Sequence, residues 1–138
     1  MLNQLNLVVR DMGRTVDFYR RLGLEVAAQG DQHAAARLPN GVSLEFDSVE
    51  FVPSWDSGWS GESGGTTVLG FELDSREAVD RLYSELAAAG HRGHQPPYDA
   101  FWGARYAIVD DPDGNPIGLT SPIDEQRKTW PPQPPPPA

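Results

Sequence analysis

The feature that most limits how this chain can fold is a repeat in the order of its elements. Alternation and helical spacing give β-α-β-β-β over residues 2–47, and the same order again over residues 66–120. In the first half, residues 2–9 alternate as a strand. Leu5, Leu7 and Val9 take one face, and Gln4, Asn6 and Val8 take the other. Asp11 is placed to cap a helix whose apolar side holds Val16, Phe18, Tyr19 and Leu22, and Gly23 is placed to end it. Three short strands follow at 24–29, 32–38 and 42–47, separated by the turn formers Gly30-Asp31 and Pro39-Asn40-Gly41. In the second half, a strand at 66–73 leads to Asp74 or Ser75 as cap. A helix with the stripe Val79, Leu82, Tyr83 and Leu86 comes next, and Gly90 ends it. Residues 92–98 read as an edge strand interrupted by Pro96-Pro97. Strands at 104–110 and 116–120 flank the turn Asp111-Pro112-Asp113-Gly114-Asn115.

The pattern implies an α+β fold of tandem βαβββ modules forming a cupped mixed sheet around a cleft, with the helices on the outer face. Residues 1–121 then form one domain, with modules 1–47 and 66–121 joined by a loop at 48–65. That loop holds five Ser, four Gly, Trp55 and Trp59 and has no periodicity, the composition of a functional or mobile segment. Residues 122–138 form a proline-rich tail that reads as extended or disordered, with Trp130 docked on the domain as one alternative and an SH3-type ligand as the functional one.

Composition removes several function classes. The 138 residues include no cysteine, which excludes disulfides, zinc–thiolate sites and a cysteine nucleophile. No apolar run approaches the roughly 20 residues of a membrane span. Met1-Leu2-Asn3-Gln4-Leu5 lacks the basic-then-apolar pattern of a signal peptide, so the expected location is cytoplasmic. A formal charge of −9 argues against nucleic acid as partner. The same charge mildly favours a cationic ligand, or serves solubility alone.

Three stretches carry a family resemblance. They are Leu5-Asn6-Leu7-Val8-Val9-Arg10-Asp11 with Phe18-Tyr19-Arg20-Arg21-Leu22-Gly23-Leu24, then Gly70-Phe71-Glu72-Leu73-Asp74, and then Tyr106-Ala107-Ile108-Val109 running into Asp111-Pro112-Asp113-Gly114-Asn115. Together they resemble the vicinal oxygen chelate superfamily, which includes glyoxalase I, extradiol dioxygenases and bleomycin-resistance proteins. The resemblance covers residues 2 to 121 and implies the tandem βαβββ fold, usually in a homodimer. It places the family's four metal positions on Gln4, Glu45, Val68 and Gly118. Val68 and Gly118 bring no side-chain donor, whereas a catalytic metal needs three or four protein ligands. No metal, no cofactor and no catalytic residue is therefore assigned.

Ten residues make up the expected ligand site: Gln4, Glu45, Trp55, Trp59, Val68, Phe101, Trp102, Tyr106, Ile108 and Gly118. Flat aromatic side chains with a few polar groups suit a planar, partly polar molecule. Phe101 and Trp102 serve equally well as core or dimer contacts. Glu45 is a base, a counter-charge for a cation, or simply a partner of Gln4. His33 has no evident partner in the sequence, and His91 and His94 fit the cationic end of a helix. The expected function is metal-independent sequestration of an aromatic natural product or antibiotic, as in bleomycin resistance. The alternative is a glyoxalase- or dioxygenase-type enzyme that uses Glu45.

Overall fold

The structure of the chain, a computed structural model, describes residues 2–56, 61, 67–131 and 135. Its elements run β1 (Gln4–Val9), α1 (Met12–Arg21), β2 (Ala27–Gln29), β3 (His33–Arg37), β4 (Ser43–Ser48), β5 (Leu69–Glu72), α2 (Arg76–Ala88), β6 (Gly93–Asp99), β7 (Arg105–Asp110) and β8 (Pro116–Thr120). This is the expected α+β repeat. Short 3-10 turns lie at Val52–Ser54 and Glu125–Arg127. The caps are chemical choices made in the sequence. The Asp11 carboxylate accepts from the Arg14 N–H at 3.0 Å, and the Ser75 hydroxyl accepts from the Ala78 N–H at 3.1 Å. Gly23 and Gly90 end the helices at φ values of 92° and 93°. β2 is shorter than the expected 24–29, because the Leu24 N–H closes the end of α1 on the Tyr19 carbonyl at 3.2 Å.

Two compact units divide the chain, Met1–Gly64 with Pro112–Gly114, and Gly65–Asp111 with Asn115–Ala138. Each holds a four-stranded mixed sheet, ordered β1-β4-β3-β2 in the first and β5-β8-β7-β6 in the second. β1 runs parallel to β4 and β5 parallel to β8, while the remaining pairs are antiparallel. Parallel neighbours need a long crossover, which the helix and the intervening strands supply. β6 sits at an edge, and its pairing with β7 shifts register on both sides of Gln95, as Pro96 and Pro97 lack the N–H groups a regular ladder needs.

Each core lies between the helix and one sheet face. In the first unit Phe18, Tyr19 and Phe46 are fully buried, and the Tyr19 ring lies 5.1 Å from Phe18 and 4.8 Å from Phe46. Leu44, Ala34 and Ala36 complete that face, whereas Leu5 at the far end of β1 stays partly exposed. In the second unit Val79 and Leu86 of α2 and Ala107, Val109, Ile117 and Leu119 of β7 and β8 are completely buried. No helix among the described residues is long and apolar enough to cross a membrane.

Beyond β8 the chain turns back on the second unit. The Asp124 N–H donates to the Gly103 carbonyl and the Thr129 N–H to the Phe101 carbonyl, both at 3.0 Å. Gly103 has φ of 96°, and the Asp124 carbonyl occupies the space a Cβ there would need. Gly103→Ala is therefore expected to cost about 1–3 kcal/mol through backbone strain and to release this segment. Limited trypsin digestion then cuts after Arg127 and Lys128 sooner than in the parent. An unchanged cleavage rate is the contrary result.

Candidate functional site

In each sheet the register decides which residues share the face turned away from the helix. In the first unit, Asn6 pairs with Glu45 and Glu45 with Ala35, while Val8 pairs with Asp47 and Asp47 with His33. Gln4 stands two residues before Asn6 on the same face. In the second unit Gly70 pairs with Gly118 and Gly118 with Ile108, with Val68 two residues before Gly70. Gln4 and Val68 are thus equivalent, as are Glu45 and Gly118.

On the first face the structure brings Gln4 and Glu45 together with a group that the sequence alone does not flag. Asp47 is buried, and its Oδ1 lies 2.6 Å from His33 Nδ1. The Asn6 side-chain amide donates to its Oδ2 at 2.9 Å. A buried carboxylate stays only where such partners replace water. The pair fixes the His33 ring, and Nε2 has no protein partner among the described residues. Trp55 follows the 3-10 turn and is half exposed. Trp59 lies outside the described residues.

The second face is aromatic. Tyr98 pairs with Tyr106, and their rings meet edge to face at 6.2 Å. Trp102 packs on Tyr106 at 5.1 Å and on Phe101 at 5.2 Å, and Phe101 reaches Trp130 at 6.3 Å. Phe101 and Trp102 stand on the β6–β7 loop, both partly buried, with the Trp102 ring against Tyr106 of β7. Ion pairs pin that loop to α2. Arg105 bonds Asp80 at 2.8 Å and Asp99 at 3.3 Å, and Arg76 bonds Asp99 and the Gly103 carbonyl. Burial alone would raise the Asp99 carboxyl, but Arg76 and Arg105 hold it below the usual range.

Val68 is half exposed and Ile108 partly buried, so both stay on this face. Gly118 is buried, and a Cβ built on it would stand 2.6 Å from the Tyr106 hydroxyl and 3.1 Å from the ring. The Tyr106 side chain occupies the space that a residue-118 side chain would take. Gly70, its pair, has nothing within 4 Å of such a Cβ.

Burial pushes both phenols above the usual tyrosine range, and neighbouring Tyr106 adds to the shift at Tyr98. A folded value above the unfolded one gives stability that is complete below pH about 10 and is lost as pH rises through the folded value. Tyr98→Phe with Tyr106→Phe is expected to flatten the fall in urea midpoint between pH about 9 and about 11. A fall as steep as in the parent contradicts this assignment.

His94 and Arg92 also find a partner, the buried Asp110, at 2.8 Å and 3.2 Å. That carboxylate accounts for His94, in place of the helix end expected from the sequence. An open groove of about 710 Å³ lies on the helix side of the first sheet, between α1 and the turn at 30–32. Several of its charges already hold structure. Asp11 caps α1, Asp17 pairs with Arg21, and Arg20 donates to the Val26 carbonyl.

Residues 1–119 match the family model described as the glyoxalase/bleomycin resistance protein/dioxygenase superfamily. The chain belongs to this superfamily. Among solved structures, a glyoxalase-related enzyme from Fulvimarina pelagi superposes with a TM-score of 0.77 at 21% identity, covering 88% of each chain. A glyoxalase/bleomycin resistance protein/dioxygenase from Nocardioides gives 0.67 at 26% identity, over 90% of this chain and 84% of that one. Lactoylglutathione lyase from Agrobacterium tumefaciens gives 0.62 at 17% identity, over 88% and 92%. No curated protein matches the chain.

Membership in the glyoxalase/bleomycin resistance/dioxygenase superfamily raises the question of a metal, and the residues present do not fit one. Of the four positions the resemblance assigns, Gln4 and Glu45 offer an amide and a carboxylate, Val68 offers no donor, and Tyr106 fills the space at Gly118. Among the described residues, no group of three His, Cys, Asp or Glu side chains gathers closely enough to hold a metal.

Proposed function

We propose that this protein binds a planar aromatic small molecule without a metal and holds it unchanged, sequestering a natural product or antibiotic as the bleomycin-resistance branch of the superfamily does. The observation that carries this reading is Tyr106 lying over Gly118. A strand position assigned to an acidic metal ligand holds no side chain, and an aromatic row with Trp102 and Tyr98 stands in its place. Such a row offers stacking area and little chelating chemistry. The formal charge of −9 favours neutral or cationic ligands over anionic ones.

The test combines three measurements on purified protein. Elemental analysis finds no stoichiometric divalent ion. Tryptophan fluorescence is quenched by members of a panel of aromatic antibiotics, and Trp102→Ala removes that quenching. The drug is then recovered chemically unaltered. One tightly held divalent ion per chain sinks the metal-free reading. Recovery of an altered drug favours the runner-up, a glyoxalase- or dioxygenase-type reaction using Glu45. The same reading has a cytoplasmic homodimer as the working form, and sedimentation at the mass of a single chain would remove that part.

A further inference from the structure

Two part-buried hydroxyl groups on the second unit's open sheet face are left without a hydrogen-bond partner among the described residues. Tyr98 and Tyr106 sit directly across from one another on β6 and β7. Each makes ring contacts, and neither phenolic oxygen is bonded to any described residue. Neither oxygen is fully buried, so both hydroxyls are open to water and to a ligand laid on the same aromatic face. Tyr106 is also held in place by Trp102 on one side and by the bare backbone of Gly118 beneath its hydroxyl.

Consider a flat molecule stacked on this face. It excludes water from both hydroxyls. A ring that brings no acceptor leaves two donors desolvated and unpaired, which opposes binding, whereas a ring with a carbonyl oxygen replaces the lost water. The row that contains Tyr106 and Tyr98 also contains Thr120 and Glu72. The Glu72 carboxylate on that face disfavours an anionic acceptor and leaves the neutral carbonyl.

We propose that Tyr98 and Tyr106 act as paired hydrogen-bond donors selecting planar ligands that carry a ring carbonyl, such as quinones or imides, over the same ring system without one. This rests on the reading of the face as a ligand surface and adds the chemistry that the surface selects. A phenol ordinarily ionises at pH about 10, so both are protonated, hence donors, throughout the neutral range, and burial moves them further from ionisation.

The experiment uses two probes of one shape, 1,4-naphthoquinone and naphthalene, with the parent chain and Tyr98→Phe/Tyr106→Phe. The chain has no cysteine to add to the quinone. Affinities come from calorimetry or equilibrium dialysis. The parent is expected to prefer the quinone by about 10- to 100-fold, in line with sites whose polar groups are left unpaired by the wrong ligand. The double variant keeps both rings and is expected to lose that preference, with naphthalene affinity changed less than about twofold. A preference surviving in the double variant overturns the donor assignment while leaving the aromatic face intact as a ligand surface. A parent chain that binds neither probe overturns that reading of the face, and the donor assignment with it.

Discussion

Phe46→Ala is expected to cost about 3–5 kcal/mol, the largest stability loss of any single truncation in the first unit. Phe46 is completely buried at the middle of β4, paired with Leu7 on β1 and Ala34 on β3. Its ring meets Tyr19 at 4.8 Å, and Tyr19 in turn meets Phe18 at 5.1 Å. Removing it opens one end of a three-ring cluster, in the middle of the sheet's buried face. The usual relief, a neighbouring side chain swinging in, is poorly provided here, since β3 offers only Ala34 and Ala36 on that face. The cavity therefore stays largely open, which puts the cost towards the upper part of the range. A domain with about 5–15 kcal/mol in hand loses a large share of it. Urea denaturation of Phe46→Ala and Phe46→Leu measures this, with the leucine variant expected to recover more than half of the stability that alanine loses. A loss below about 1.5 kcal/mol for alanine would show that the core collapses to fill the gap.

Much of this architecture was legible in the sequence because the turns fix the registers. The turn centred on Asn40 pairs residue 43 with residue 37, and the same arithmetic pairs Asp47 with His33, as observed. The hydrogen-bonded contact between them is therefore within reach of turn chemistry plus alternation. The neighbours of His33 along the chain do not reveal it, because its partner lies across the hairpin. The turn around Asp113 likewise pairs Ile108 with Gly118 and Tyr106 with Thr120. Alternation puts Gln4 and Glu45 on one side of their strands and Gly118 on the equivalent side of its own, and the observed registers agree.

What the sequence did not reveal depends on side-chain direction. Tyr106 and Gly118 are diagonal neighbours, close enough for a long aromatic residue to reach from one to the other. Which way the ring leans follows from Trp102 packing beside it, a contact made by a loop and not by any periodic element. The return of residues 124–129 over the β6–β7 loop was hidden for a similar reason. It depends on two backbone hydrogen bonds and on the missing Cβ of Gly103, and none of these has a periodic signature.

The lean of Tyr106 leads to the second large effect. Gly118→Glu restores the residue type expected of a metal-binding relative, yet it is expected to destabilise the chain by about 3 kcal/mol. The cost is steric rather than conformational, because Gly118 is not in the left-handed region. Its Cβ alone would stand 2.6 Å from the Tyr106 hydroxyl and 3.1–3.2 Å from two ring atoms. Tilting Tyr106 aside would disturb its edge contacts with Trp102 and Tyr98. The added carboxylate also enters a buried position flanked by Gly70 and Ile108, neither of which donates a side-chain hydrogen bond to it. Gly70→Ala, on the adjacent strand with open space around it, is the internal control, expected to stay within about 0.5 kcal/mol of the parent. A double-mutant cycle with Tyr106→Ala separates the clash from the burial of charge. If the clash dominates, Gly118→Glu costs at least about 1.5 kcal/mol less in the Tyr106→Ala background than in the parent. Equal costs in both backgrounds would mean that Tyr106 does not guard this position.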